Sequence, residues 1–195
     1  MLEVTLTFLA GVLGGVLNAV AGGGTFITFP ALVFTGVPPV VANATSTVAA
    51  LPGYVAATLG FRRDIRAIDG VPLIKLTLWT MIGGGAGSVL LLVSSNKAFA
   101  LLVPFLLLIA TIVFYWSEPI RRHASRWQSV VMPFGLGTLL PMSIYGGYFN
   151  GGLGILLLAS FGLLGYVDLH GMNGLKSALS ALLSLISAAT FAVAG

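Results

Sequence analysis

Long apolar runs, almost free of charge, constrain this chain more than anything else in it. Residues 4–21, 37–61, 71–93, 98–116, 129–149 and 171–194 are each dominated by Val, Leu, Ile, Ala, Phe and Gly. Runs of this length match the ~20 residues that carry a helix across a bilayer. Only 7% of the residues are charged, against about 25% in an ordinary soluble domain. Such a chain cannot cover itself with polar surface. Transmembrane barrels show ten-residue alternating segments instead, and none is present. The expected fold class is an all-α integral membrane protein, a polytopic helix bundle with the lipid bilayer as its first partner.

Composition excludes several kinds of function. There is no cysteine, so disulfides, Cys-ligated zinc and iron–sulfur clusters are ruled out. The two histidines, His123 and His170, lie far apart and make no ligand cluster, so no metal and no cofactor is expected. The net charge of +4 is no sign of nucleic acid. Its basic residues fall in two short clusters between apolar runs, Arg62, Arg63 and Arg66, then Arg121, Arg122 and Arg126. Positive loops stay cytoplasmic, and two runs separate these clusters, so loops 62–70 and 117–128 are both expected there. The "SSNK" turn between them then faces out. A secretory signal would need a basic start, and the first residues hold Glu3 and no Lys or Arg. Residues 4–21 are therefore read as a retained membrane segment.

Two runs are interrupted. "NAVAGGGTFITFP" at 18–30 places an Asn and three glycines before a second apolar run, 25–35. Eleven helical residues reach about 16 Å, half of the hydrocarbon core. "GGVLN" at 14–18 matches "GGYFN" at 146–150, and "ANATS" at 42–46 lies opposite "NGLKS" at 173–177 after a one-residue slip. Each half reads as an apolar run, a Gly-rich break, a short run and a polar-dotted helix. The expectation is an internal pseudo-repeat with Gly-broken half-helices, its first copy over 1–128 and an incomplete second over 129–195. Transporters are commonly built this way, and paired breaks mark the binding site.

Irregular backbone inside a membrane is tolerated where protein buries it or where it lines a cavity. The N–H groups and dipole of the following half-helix favour an anion. Asn18 and Asn150 are placed to orient a solute or to close the gap. Gly22, Gly23 and Gly24 permit close backbone approach, whereas the Gly83–Gly87 pair, without polar company, reads as helix packing. Lys176 lies eight residues beyond Asp168 within an apolar run. An intramembrane cation points to an anionic ligand or to snorkelling toward the interface. No carboxylate lies deep in a run, so neither a proton relay nor an intramembrane protease is supported.

These residues carry a family resemblance. "GGVLNAVAGGGTFITFPALVFTGVPPVVANATST" at 14–47 and "YGGYFNGGLGILLLASFGLLGYVDLHGMNGLKS" at 145–177 resemble the sulfite exporter TauE/SafE family, also called the four-toluene-sulfonate uptake family. The resemblance implies a carrier in the bacterial inner membrane for small sulfur-containing or organic anions, such as sulfite or sulfonates, in export or uptake. Carried onto this chain, its substrate-binding positions are Asn18, Gly22, Gly23, Gly24, Thr45 and Ser46, then Asn150, Gly152, Asn173, Lys176 and Ser177. Two features depart from the family pattern. The second break lacks the triple glycine, with Ile155 and Leu156 in its place. Family members carry two more helices after the second motif, so this chain is expected to be a truncated product, a fragment, or a subunit completed by a partner, with a homo-oligomer or a completing subunit as the candidate partners. A passive anion pore and a non-transporting scaffold or accessory subunit are the rival readings; an enzyme is not expected.

Overall fold

The computed structural model describes residues 1–66, 73–124, 139–163 and 168–194. The first helix, α1 (Leu2–Ala21), stops at Gly22, whose φ of 78° is the left-handed conformation that only glycine adopts cheaply. The Gly22 N–H closes the helix on the Asn18 carbonyl at 2.9 Å. After this break α2 (Thr25–Phe34) packs back along α1, with Gly24 and Thr28 both against Gly14. A second left-handed glycine, Gly36, ends α2: its N–H donates to the Val33 carbonyl and the Val37 N–H donates to that of Leu32. Pro39 then starts α3 (Pro39–Gly60), where a missing N–H is harmless.

Residues 62–66, expected as part of a plain loop, form a short helix, α4 (Arg62–Arg66). The two clean spans appear as α5 (Leu73–Val93) and α6 (Asn96–Ala124), joined by a two-residue turn. α6 runs past its apolar stretch into the second basic segment, so residues 117–124 are helical where a loop was expected. Polarity ends a membrane span without ending a helix, and Glu, Arg and Ala are good helix formers. The rest of that segment, with Arg126, and the start of the 129–149 run lie outside the described residues. α7 (Leu139–Tyr148) then breaks at 149–152, where Gly152 has φ 77°. α8 (Leu153–Leu163) and α9 (Leu169–Ala194) complete the chain, and the Asp168 carboxylate accepts the His170 and Gly171 N–H groups at the head of α9.

Five of the described helices, α1, α3, α5, the first part of α6, and α9, are long and apolar enough to cross a membrane. The described residues contain helices and no strand, so the molecule is an all-α multi-pass membrane protein. α3 and α9 cross its middle. Gly174 faces Phe61 and Ile65, and Ser180 faces Tyr54, so the two helices run antiparallel. α5 wedges between α7 and α9. A methyl group on Gly83 would lie 2.5 Å from Ser143 Cβ, and one on Gly87 would lie 2.7 Å from the Tyr148 nitrogen. These glycines pack helix on helix, as expected for the Gly83–Gly87 pair, because lipid-embedded helices associate through close packing. A second apolar cluster gathers Phe29, Phe99 and Phe149 edge to face, with ring centroids 5.9–6.1 Å apart.

The two breaks meet. A methyl group on Gly22 would lie 2.5 Å from Gly154 Cα, and one on Gly152 would lie 2.9 Å from the Phe26 ring. Each break therefore buries the other's irregular backbone away from lipid.

Candidate functional site

The site is built where α2 begins inside the protein. The Asn18 side chain, buried on the last turn of α1, bridges the break. Its Oδ1 accepts the Gly24 N–H at 3.4 Å and the Tyr54 hydroxyl at 3.0 Å. Asn18 thus holds the head of the half-helix against α3. At the other break the Asn150 side chain ties to α9 instead of to the head of α8, donating from Nδ2 to Ser184 Oγ at 3.5 Å. The side chains of Asn150 and Ser180 also face the Tyr54 hydroxyl, so the two breaks share one polar centre.

A cavity of about 150 Å³ opens beside this centre. Its inner wall is polar and buried, formed by Asn18, Thr25, Ser46, Tyr54 and Ser177. Its outer wall is made of small, exposed residues, Gly11 and Gly15 from α1 and Ala49 and Gly53 from α3. Glycine at 11, 15 and 53 creates the space, since an added methyl group would meet nothing within 4 Å.

One atom on the inner wall is unspent. Ser46 Oγ is buried and has no hydrogen-bond partner among the described residues. Asn150 Oδ1 and Ser180 Oγ at the polar centre are in the same state. A buried polar group without a partner costs about 1–3 kcal/mol, so such groups commonly mark a ligand or water position. The N–H groups of Gly24, Phe26, Ile27 and Thr28 are taken up by Asn18 Oδ1 and the Gly23 and Gly24 carbonyls, so what α2 adds at the same cavity is its positive dipole end.

The expected site residues separate into three sets, with Thr45 outside all of them. Asn18, Gly24, Ser46 and Ser177 line the cavity. Gly22, Gly23, Asn150 and Gly152 form the two breaks behind it. Thr45 is exposed on the far side of α3 and does not join them, because a helix turns 100° per residue and Ser46 and Tyr54 already fix the inward face. Asn173 and Lys176 are brought to each other: Lys176 is fully buried, and its Nζ donates to Asn173 Oδ1 at 2.9 Å, one turn back toward the head of α9. Lys176 does not line the cavity, but its neighbour Ser177 does. The sequence reading missed Tyr54, Ser180 and Ser184. Their signal is a polar stripe at helical spacing, Asn43, Ser46, Thr47 and Tyr54 on α3, and Asn173, Ser177, Ser180, Ser184 and Ser187 on α9.

The profile of the family described as "Sulfite exporter TauE/SafE" matches residues 7–195. The chain belongs to this family. It is 30% identical over 164 residues to a Haemophilus influenzae protein named "Probable membrane transporter protein", a match covering 84% of this chain and 64% of the relative. A Sinorhizobium relative, "Probable membrane transporter protein ORF9", is 31% identical over 174 residues, covering 87% and 63%. The Escherichia coli (strain K12) protein "Probable membrane transporter protein YfcA" is 28% identical over 171 residues, covering 87% and 61%. The chain therefore matches less than two thirds of the length of these relatives. No solved structure matches it.

Proposed function

We propose that this TauE/SafE chain is the substrate-holding core of a carrier for small sulfur-containing or organic anions, such as sulfite and sulfonates, moved across the bacterial inner membrane in export or uptake. The observation that carries this reading is the unpartnered, buried Ser46 hydroxyl facing a cavity at the head of α2. A hydroxyl donor, the helix N-terminus and the Asn18–Tyr54 bridge suit an oxyanion without needing a metal or cofactor. Lys176, one position before Ser177, adds positive charge to the same half of α9. The reading assigns no catalytic residue.

Residues 1–128 and 129–195 are read as two copies of one unit. The left-handed glycines Gly22 and Gly152 are 130 positions apart (152 less 22), and the same step relates Asn43 to Asn173, Ser46 to Lys176, and Tyr54 to Ser184. Asn18 and Asn150 are 132 positions apart (150 less 18), two more than that step, and each ties its break to the polar helix of its half, Tyr54 donating to Asn18 and Asn150 donating to Ser184. Because α3 and α9 run antiparallel, the copies would be inverted, the arrangement in which carriers alternate access around a central site. On this reading loops 62–70 and 117–128 are cytoplasmic.

The test is sulfite and sulfonate flux into proteoliposomes holding the purified chain. Saturable flux that one anion inhibits for another, and that Ser46→Ala weakens, is expected. Flux linear in concentration would make the chain a pore, and no flux or anion binding would leave a scaffold.

A further inference from the structure

The first turns of α3 and of α9 carry the same local motif. Thr47 Oγ1 donates to the Asn43 carbonyl at 2.9 Å, and Ser177 Oγ donates to the Asn173 carbonyl at 2.7 Å. The 130-residue step relates these pairs (173 less 43, 177 less 47), and it relates Ser46 to Lys176 within them. Both asparagines give their amide nitrogen to a backbone carbonyl, Asn173 Nδ2 to Leu169 at 3.0 Å and Asn43 Nδ2 to Tyr148 at 2.9 Å. A carbonyl only accepts, so the nitrogen of each amide is fixed and its Oδ1 is left for another partner. In α9 that partner is the Lys176 ammonium, 2.9 Å from Asn173 Oδ1. In α3 the matching residue, Ser46, brings no charge. Asn43 Oδ1 and Ser46 Oγ both lack a hydrogen-bond partner among the described residues, although Asn43 is only 1% and Ser46 only 2% exposed.

We infer that a sodium ion binds between Asn43 Oδ1 and Ser46 Oγ, in the position that the Lys176 ammonium takes beside Asn173 in the second unit. Residues three apart on a helix are neighbours on one face, so both oxygens can meet one ion. Tyr148, whose carbonyl holds the Asn43 amide, is the last residue of α7, and the carbonyl end of a helix favours a cation. Glu3, Asp64, Asp69, Glu118 and Asp168 all lie at run ends or in the segments between runs, so the site is built of neutral oxygens. Such a set suits a monovalent ion, since calcium and magnesium sites draw on carboxylates. A bare ion needs only lone pairs, whereas free ammonium would need acceptors for its own N–H groups. Sodium, smaller than potassium, is the alkali ion suited to two ligands buried on one helical turn. Ser46 also lines the candidate cavity. Its hydroxyl holds one proton and two lone pairs, so it can donate to an anion there while a lone pair meets the sodium. The ion would offset the solute's charge from the first unit as Lys176 does from the second. The inference rests on the two-unit reading, and its test needs neither sulfite nor sulfonate.

Binding of radioactive sodium to the purified chain in nanodiscs, with choline chloride as the background salt, tests it. Saturable binding of a single ion per chain is expected, with potassium a poor competitor. Ser46→Ala should weaken binding at least about tenfold, the loss of one polar contact to a charge. Ser46→Lys gives α3 the ammonium that α9 already holds. It should abolish sodium binding, and its melting temperature, unlike that of the wild type, should no longer rise when sodium replaces choline. No saturable binding to the folded wild type overturns the inference and leaves water at Asn43 Oδ1. Undiminished binding by either variant overturns it too, and Ser46→Ala decides alone where Ser46→Lys does not fold. Equal displacement by potassium overturns sodium as the ion. Sodium binding without sulfite or sulfonate flux would overturn the carrier reading and leave the ion site standing.

Discussion

Three adjacent glycines carry different physical demands. Gly22 needs a positive φ and touches the Gly154 backbone; Gly24 is pressed against Gly14 and Asn18, where a methyl group would lie 2.8 Å from Asn18 Cβ. Gly23 meets nothing closer than 3.5 Å. Gly22→Ala is expected to lose about 1–2 kcal/mol from the left-handed backbone alone, more with the clash, and Gly23→Ala to be tolerated. Thermal unfolding of the two purified variants checks this, and equal melting temperatures would refute it. Tyr54→Phe should cost about 1 kcal/mol by removing the bond to Asn18. Ser46→Ala, by contrast, removes an unpartnered hydroxyl, so stability should hold or rise while sulfite affinity falls. Lys176→Met separates two roles for the buried ammonium. A central lysine costs roughly 2.5–3.5 kcal/mol to insert, so the methionine chain should insert at least as well. Unchanged sulfite binding by that variant would leave Lys176 as a side chain held by Asn173 alone.

At the scale of elements, α5 depends on what it lacks. Its glycines let α7 approach backbone to backbone, with Gly147 against Gly84. Gly87→Leu should therefore separate α5 from α7 and lower the melting temperature sharply. Gly85→Leu, next to only one atom at 3.9 Å, should change it little. A reversed order would mean that the α5–α7 contact is not the one that holds the bundle. α2 and α8, described over ten and eleven residues, are shorter than a full span, and Asn18 fixes the start of α2 through the Gly24 N–H. α2 is buried mainly against α1 and α3, and α8 against α6 and α9, while the two breaks touch where Gly22 meets Gly154 and Gly152 meets Phe26.

For the whole molecule, α5 crosses the membrane between α4 and the 94–95 turn. Cysteines placed at Asp64 and Ser95 are expected to react with an impermeant reagent from opposite sides, Asp64→Cys from the cytoplasm. Labelling of both from one side would contradict the topology and the inverted arrangement together. The sequence also forecasts Arg62, Arg63 and Arg121 on the Asp64 side, through charge alone.

Much of this architecture was legible in the residues, for reasons of solvent. Lipid forbids unpaired backbone, so apolar runs had to be helices, and glycines beside an asparagine had to be breaks covered by protein. Helix periodicity likewise placed polar stripes on one face of α3 and of α9. What periodicity cannot give is which faces meet. That Tyr54 closes on Asn18, that Thr45 turns away, and that Gly11 and Gly15 meet no neighbour among the described residues all depend on the angle and direction at which helices far apart in the chain cross. Those are set by contacts between α3, α5, α7 and α9, each chosen by shape across the bundle, and the local sequence holds no record of its distant partner's shape.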